Sequence, residues 1–487
     1  MAKDKMRDLV VLLPGITGSV LQKDNEDLWA VSGQSLWAAL RDRKSRLEAL
    51  KLPEHKPGET LPDDGIRATR LIYDFHGVFG LWKIDGYDTM ARLITDNFEV
   101  TSGSADAPRE DQNFFEFPYD WRHSNRDSAR ALQKFLEQQL HRWRQWSHWK
   151  DARVILLAHS MGGLVSRYYL EVLEGWRDCR ALITFGTPYR GSMNAVNYVA
   201  NGYKMAGIDF TDIMRSMPSI YELMPIYPAI KMNDTWQRVA ESKGLPKAIV
   251  PERAADALTF HREIEDAVDK HRESAEYLKN GYSIMPVVGI QQPTLQSAFA
   301  KGDKLFFESN RPAIVDELQQ GGDGTVPRIS ATPLELGNHP AAVYFVEIHG
   351  SLQNNQYILD NLRAHIQQLQ VDPDKPAVRG ARLPKPAQER PAIGLGVEDL
   401  YESDQPVVLR AQISGPAAPS GGLVATFRQS GKGGSKFDRP FRATTQGYEL
   451  VVEGLEPGQY RVAVRGTRGG PNAPTAVHEV FEIAGAM

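Results

Sequence analysis

This sequence of 487 residues has a single cysteine and no long apolar run. The single cysteine, Cys179, excludes an intrachain disulfide. No apolar run approaches the ~20 residues that a membrane-spanning helix needs, and the charged start lacks the apolar segment of a secretory signal. The net charge of -4 predicts no broad attraction to nucleic acid or to an anionic membrane. We therefore expect a cytoplasmic protein in a reducing setting, with export by a leaderless route as the alternative.

Length and composition predict at least two globular domains. Hydrophobic residues make up 41% of the chain and charged residues 24%, which is ordinary for a globular protein. Five prolines among scattered charges predict a semi-rigid linker over 371–391. We therefore expect one domain over 1–370 and a second over 392–487.

The predicted second domain consists of short β-type runs separated by Gly and Pro turns. This pattern predicts a small immunoglobulin-like β-sandwich. The segment from Leu455 to Tyr460 resembles the corner that precedes a late strand of such domains. The runs are 393–401, 407–413, 423–429, 437–443, 448–452, 459–465 and 477–483.

Ser160 is the most informative residue of the chain. Five apolar residues, 154–158, predict a buried parallel strand, and an apolar helical pattern follows the serine to about residue 173. A serine on such a strand–turn–helix corner exposes its hydroxyl if small residues lie two positions before and after it. Ala158 and Gly162 meet this requirement. The pattern predicts a nucleophilic serine, and an ordinary strand-to-helix turn is the alternative.

The rest of the first domain alternates between strand and helix patterns. Such alternation predicts an α/β fold, with a parallel sheet covered by helices on both faces. Helical spacing is clear over 125–147 and 354–369. The other predicted strands are 9–13, 114–117, 181–185, 287–290 and 343–348.

Residues from about 192 to 280 interrupt this alternation. The segment is rich in methionine and aromatic residues, which suit an adaptable apolar surface. One interpretation is a lid over a lipid-binding groove. The alternative is a helical insertion whose apolar face belongs to the core, because both predict the same spacing.

Asp323 is the candidate carboxylate partner of Ser160. A serine hydroxyl needs a histidine to take its proton, and that histidine needs a carboxylate to orient it. In this fold class the three follow in the order Ser, Asp or Glu, His. Glycines on both sides of Asp323 allow a sharp turn that aims the carboxylate inward, and a plain turn is the alternative.

His349 is the candidate base. It directly follows the predicted strand 343–348, where a catalytic loop is expected. His339 lies in a turn before that strand, and His365 lies within the closing helix pattern. The alternative for His349 is a histidine that only ends the strand.

The loop that follows the first strand is the candidate oxyanion hole. Such a hole needs preorganised donors, usually backbone N–H groups, aimed at the developing negative charge. One is expected from Met161, directly after the nucleophile, and the other from a loop after an early strand. The Gly-rich loop 14–19 fits, with Thr17 as the donor and Ile16 as the neighbour that competes for this role.

Seven segments, in this order, resemble the lecithin:cholesterol acyltransferase family, which includes lysosomal-type phospholipases. The resemblance implies an α/β-hydrolase with a lid that acts on acyl esters of lipids. It also implies Ser160, Asp323 and His349 as the triad, with Thr17 and Met161 as the oxyanion hole. The segments are Pro14-Gly15-x-x-Gly18-Ser19, Pro118 to Arg122, Ala158 to Gly163, Gly186-Thr187-Pro188 with Gly191-Ser192, Pro218-Ser219 with Leu223-Met224-Pro225, Gly322 to Pro327, and Ile348-His349-Gly350.

The leading functional hypothesis is therefore a serine lipid esterase, phospholipase-like, that works through an acyl-enzyme. Acyl transfer to an alcohol, an enzyme for non-lipid esters, and a binding or scaffold protein on a hydrolase fold are the alternatives. No metal or other cofactor and no nucleic acid partner is expected. The expected partners are a lipid or other acyl ester, a membrane touched transiently by the lid, and a protein bound by the C-terminal β-sandwich.

Overall fold

The structure is a computed structural model that describes most of the chain. The described residues are 3–30, 48–72, 86–104, 109–205, 208–336, 342–371, 391–398, 400–402, 405–414, 422–429, 436–445, 447–467, 473–474 and 476–483. His339 and all but the end residues of the predicted linker lie outside them.

A seven-stranded parallel sheet forms the centre of the first part of the chain. In sheet order the strands are β7-β6-β5-β4-β1-β3-β2, and every pair is parallel. The middle strands are buried along their whole length, as their continuous apolar runs predict. The strands are β1 Leu9–Leu13, β2 Ser102–Gly103, β3 Phe114–Glu116, β4 Val154–His159, β5 Cys179–Phe185, β6 Ser283–Gly289 and β7 Val343–Phe345.

Nine helices are found in the described part of the chain. Those that follow β3 and β4 pack against each other, as do the first and the last helix. The chain passes from β1 to β2 in one direction along the sheet and from β3 to β4 in the opposite direction. Right-handed crossovers therefore place the helices after β3 and β4 on one face of the sheet, and the first and last helices on the other. None of the helices described is both long and apolar enough to cross a membrane. They are α1 Asp88–Asn97, α2 Asn125–Ser147, α3 Met161–Glu171, α4 Met193–Asn201, α5 Thr211–Ser216, α6 Pro218–Glu222, α7 Pro251–Arg272, α8 Ala275–Asn280 and α9 Gln356–Val371.

The interrupting segment contains helices α4 to α8. Most of its large apolar side chains, including Met217, Ile220 and Leu223, are buried in the same core as the parallel sheet. In this conformation the apolar spacing thus serves packing, which was the second of the two interpretations.

Smaller sheets and single-turn helices complete this part of the chain. The small sheets comprise Asp4–Lys5 with Phe98–Glu99, Ser19–Lys23 with Glu26–Trp29 and Ile66–Leu71, Lys204–Met205 with Ile208–Asp209, and Ile230–Met232 with Thr235–Gln237, Ser297–Lys301 and Lys304–Glu308. The 3-10 helices are Gly175–Arg177, Val239–Glu241, Glu317–Gln319, Arg328–Ser330, Leu334–Leu336 and His349–Asn354.

The C-terminal part of the chain forms two further sheets around a shared apolar core. Nearly all of their strand pairs are antiparallel, which is compatible with a β-sandwich. The Tyr460 hydroxyl donates to the Glu456 carbonyl at 3.0 Å, within the segment from Leu455 to Tyr460. One sheet contains Ala392–Gly396, Val407–Ser414, Gly447–Val452 and Arg442–Thr444, and the other contains Leu400–Tyr401, Val477–Ile483, Gly458–Gly466, Leu423–Gln429 and Lys436–Pro440.

Strand β7 is shorter than the sequence predicts. It ends at Phe345, three residues before the expected end, because the Glu347 N–H turns back to the Phe345 carbonyl at 3.1 Å. The next residue, Ile348, leaves the sheet and packs into the C-terminal core. The apolar run over 343–348 therefore serves two cores rather than one strand.

Glu482 makes the stability of the C-terminal sheets dependent on pH. Burial raises the pKa of its carboxyl from 4.5 to about 7, and its Oε2 has no hydrogen-bond partner. The folded state therefore binds more protons than the unfolded state, so this group's contribution is full below pH 4.5 and is lost as pH rises through about 7. We expect Glu482→Gln to raise the unfolding free energy by about 1–2 kcal/mol at pH 8 and by less at pH 5.

Urea denaturation of both proteins at the two pH values measures this difference. Glu453→Gln, at an exposed position directly after the strand Gly447–Val452, is the control and should change little at either pH. Equal effects of Glu482→Gln at pH 5 and pH 8 would show that the Glu482 carboxyl is ionised in the folded state as well as in the unfolded state.

Candidate active site

Ser160 lies on the turn between β4 and α3, where the sequence predicts it. Its backbone has φ 50° and ψ -123°, a strained conformation for a residue with a side chain. The Ser160 N–H donates to the Phe185 carbonyl at 2.8 Å, which fixes the turn to the next strand. Small neighbours are required here, since a Cβ atom on Gly162 would lie 2.5 Å from the Pro14 carbonyl oxygen. The local sequence thus builds the sharp corner.

The three residues predicted as a triad lie together at the carboxyl end of the sheet. The Ser160 Oγ is 2.9 Å from His349 Nε2, and His349 Nδ1 is 2.8 Å from Asp323 Oδ2. All three side chains are buried. This is the geometry in which a histidine takes a proton from a serine while a carboxylate orients the ring.

Backbone amides fix the orientation of the Asp323 carboxylate. Its Oδ1 accepts from the N–H groups of Thr325 at 2.9 Å and Val326 at 2.6 Å, which leaves Oδ2 for His349. The His349 N–H donates to the Asp323 carbonyl at 2.8 Å, so main chain as well as side chains joins the two loops. The carboxylate is therefore preorganised before any substrate binds.

Gly186 allows the Asp323–His349 pair to form. It has a φ of 58°, and a Cβ atom there would lie 2.8 Å from His349 Nδ1 and 2.9 Å from Asp323 Oδ2. Any side chain would press on the hydrogen bond between those two residues. In the sequence, Gly186 is recognisable only as part of the Gly186-Thr187-Pro188 segment, which follows a predicted strand.

The loop after β1 lies against Ser160. A Cβ atom on Gly15 would be 2.8 Å from the Ser160 Cβ, so the loop backbone passes directly beside the serine. Thr17 is buried with a φ of 62°, and Met161 is the first residue of α3. Among the described residues, neither backbone N–H donates to another group. Both residues predicted as oxyanion donors therefore have an N–H group available for that role within the described part of the chain.

A buried hydrogen-bonded chain connects this loop to His349. The Gly15 N–H donates to the Tyr87 hydroxyl oxygen at 2.8 Å, and that hydroxyl is 3.1 Å from His159 Nδ1. His159 Nε2 lies 3.2 Å from the His349 carbonyl oxygen. Burial first, and the neighbouring His349 second, hold the pKa of His159 well below its usual range. A neutral His159 that donates from Nε2 and accepts at Nδ1 satisfies every member of the chain.

Tyr87 and Thr187 are site residues that the sequence analysis did not predict. The Thr187 hydroxyl donates to the Ser160 carbonyl at 2.9 Å and so supports the turn. Thr187 lies in a motif that was already part of the resemblance. Tyr87 lies 72 residues from His159 and carries no local signal.

Removal of the Tyr87 hydroxyl is expected to destabilise the protein. Tyr87→Phe leaves the buried Gly15 N–H and the acceptor nitrogen of His159 without a partner. We expect a loss of about 1–3 kcal/mol in unfolding free energy, measured by urea denaturation. Tyr357→Phe makes the same change at a side chain that is 72% exposed and should be neutral. Equal stability of the two variants would contradict the role of Tyr87.

No group of three or more histidine, cysteine, aspartate or glutamate side chains that could hold a metal ion occurs within the described residues. The arrangement at Ser160 is a set of proton-transfer partners beside free backbone donors. Such a set is suited to acyl transfer from an ester or amide.

A parallel sheet with a strand–turn–helix serine corner is typical of the α/β-hydrolase class. Residues 104–284 match the model of the lecithin:cholesterol acyltransferase family. This match confirms the resemblance predicted from the sequence, and it supports an enzyme of the lipid esterase or acyltransferase type.

Other comparisons add little. No curated protein is similar enough to count as a match. The crystal structure of the Bacillus licheniformis lipase BlEst2 in its mature form has 13% identity and a TM-score of 0.35, and covers 75% of this chain and 94% of that one. Its propeptide form has 12% identity and a TM-score of 0.36, and covers 98% and 94%. At these TM-scores the likeness supports no argument.

Proposed function

We propose that this protein is a serine hydrolase that cleaves acyl esters of lipids through Ser160, His349 and Asp323. The observation that carries the proposal is the unbroken contact from Ser160 Oγ to His349 Nε2 at 2.9 Å and from His349 Nδ1 to Asp323 Oδ2 at 2.8 Å. Hydrogen-bond distances of this kind define a nucleophile, a base and its orienting group.

In the first half of the reaction, Ser160 Oγ bonds to the acyl carbonyl carbon while His349 Nε2 takes the hydroxyl proton. The carbonyl oxygen becomes negative, and the backbone N–H groups of Thr17 and Met161 stabilise it. When the carbonyl re-forms, the bond to the alcohol oxygen breaks and His349 returns the proton to that alcohol. The product is an acyl-enzyme on Ser160.

In the second half, water attacks the acyl-enzyme and His349 takes a proton from that water. Collapse of the second intermediate breaks the bond to Ser160 Oγ, which recovers its proton, and releases the carboxylic acid. An alcohol in place of water would yield a new ester by the same steps. Acyl transfer is the second candidate, favoured by the match of residues 104–284 to an acyltransferase family model.

A paired assay tests the proposal. Purified wild-type protein is incubated with short-chain and long-chain acyl esters and with phospholipid, with and without an alcohol acceptor, and all products are measured by mass spectrometry. We expect free fatty acid from wild type and a rate lower by on the order of 10⁴-fold from a Ser160→Ala variant. New ester in place of fatty acid would establish acyl transfer.

Reaction with a fluorophosphonate probe separates an enzyme from a scaffold. Such probes phosphonylate a serine only when its hydroxyl is activated by a base. We expect one label, on Ser160. Folded wild-type protein that takes up no probe and cleaves none of these esters would refute the proposed function.

A further inference from the structure

The C-terminal sheets contact the loop that follows β6. The side chain of Gln292 in this loop makes two hydrogen bonds to the strand Ala392–Gly396. Its Nε2 donates to the Ile393 carbonyl and its Oε1 accepts from the Leu395 N–H, both at 3.3 Å. Gln292 is buried, so these bonds are shielded from water. One side chain thus pairs with a strand edge much as another strand would.

The same loop holds the acid. The Gln292 N–H donates to the Gly322 carbonyl at 2.9 Å, directly before Asp323. The Thr294 hydroxyl donates to the Gln292 carbonyl at 2.9 Å and accepts from the Gly324 N–H at 2.8 Å, directly after Asp323. The segment that contacts the C-terminal sheets is therefore hydrogen-bonded to the residues on both sides of Asp323.

The base is attached to the same sheets by its neighbour. Ile348 is 7% exposed and packs into the C-terminal apolar core, although it precedes His349 and follows a strand of the parallel sheet. Burial of an isoleucine side chain is a strong anchor for the backbone that carries it. The two loops that supply Asp323 and His349 thus each have a contact with the C-terminal sheets.

We propose that the C-terminal sheets position the Asp323–His349 pair, with Gln292 and Ile348 as the positioning residues. The inference rests on the proposed function, because it concerns the same pair of residues. Neither side chain contacts the serine, so each acts through the loop that carries it. Displacement of a catalytic group by about 1 Å can cost on the order of a hundredfold in rate, and contacts of this kind prevent such displacement.

Substitution of Gln292 in the full-length chain tests the inference. Gln292→Leu keeps the side-chain volume and removes both hydrogen bonds to the strand. We expect kcat to fall by about tenfold to a hundredfold with KM little changed, since Gln292 acts through the loop that carries Asp323. Gln292→Glu retains the acceptor for the Leu395 N–H and should recover part of the loss. Val451→Ser, on a half-exposed face of the C-terminal sheets, is the control and should keep wild-type kcat.

Ile348→Ala gives an independent second variant. It removes packing from the C-terminal core, and we expect the same selective loss of kcat. Circular dichroism confirms that the variants are folded, and active-site titration with the fluorophosphonate corrects kcat for the folded fraction. If both variants retain wild-type kcat per labelled site, the inference is wrong.

Proton NMR separates this inference from the proposed function. The proton between His349 Nδ1 and Asp323 gives a low-field signal that depends on their hydrogen bond and not on turnover. We expect this signal in wild type and its weakening in Gln292→Leu and Ile348→Ala. A wild-type protein without esterase activity would refute the proposed function, while the signal would still decide the positioning role. An unchanged signal in both variants would overturn it.

Discussion

Ser160→Ala is expected to lower kcat for ester hydrolysis by on the order of 10⁴-fold or more. The reason is chemical. Without Oγ no acyl-enzyme forms, and the only route left is direct attack by water in a site built around the serine. His349 and the proposed oxyanion donors, the backbone N–H groups of Thr17 and Met161, remain in this variant. They should still bind and polarise an ester, so we expect a small residual rate over the uncatalysed reaction.

The fold of this variant should be intact, because the Ser160 bonds that fix the turn are made by its backbone. The Ser160 N–H donates to Phe185 and its carbonyl accepts from Thr187. The matched control is Ser166→Ala, six residues further along the chain in α3, whose hydroxyl donates to the Gly162 carbonyl. It should retain activity within a few-fold. Initial rates of both variants, normalised to folded protein, decide the matter. Activity of Ser160→Ala near the wild-type level would rule out Ser160 as the nucleophile.

The residues that the sequence predicted at the site are those whose signal is local. A strand, a tight turn and a helix in succession identify Ser160 without any long-range information. Asp323 and His349 could then be found by chain order and by the strand that precedes the histidine. The structure brings these three residues together within hydrogen-bond distance.

Residues that act across the fold had no such signal. Tyr87, which directly precedes α1, meets His159 at the end of β4 across 72 residues of chain, and no periodicity records that contact. Gln292 has no sequence signal of its own, yet it is buried and bonds to the C-terminal strand Ala392–Gly396. The run over 343–348 misled for a related reason. An apolar residue reports that it is buried but not which core buries it, so Ile348 was assigned to the strand rather than to the C-terminal core.

The interrupting segment shows the same ambiguity. A helical stripe of methionine and aromatic residues is what both a lid and a packed insertion require. Met217 and Leu223 are buried in the same core as the parallel sheet, as a packed insertion requires. Substrate class consequently rests on the family match and on the site chemistry rather than on this stripe.

Asp323→Asn is expected to lower kcat on the order of 10⁴-fold, although it changes a single atom. The backbone dictates how the new amide must lie. The N–H groups of Thr325 and Val326 require an acceptor at the Oδ1 position, so the amide oxygen stays there. The amide NH₂ then faces His349 Nδ1 and donates to it. The imidazole is forced to carry its proton on Nε2, where it cannot accept the proton of Ser160.

The loss should appear in kcat, with KM little affected, because Asp323 is buried and acts through its hydrogen bond to His349. Asp303→Asn, at an exposed turn, makes the same atomic change away from the site and is the control. Fluorophosphonate labelling of Asp323→Asn should slow in parallel with turnover, since both need the same proton transfer. A loss of less than about tenfold would show that the ring is held in the active tautomer by something else. The hydrogen bond from the backbone N–H of His349 to the backbone carbonyl of Asp323 survives the substitution. The position of the ring is therefore kept while its tautomer changes. Because the substitution changes the protonation of the His349 ring and not its position, it tests the role of the Asp323 carboxylate itself.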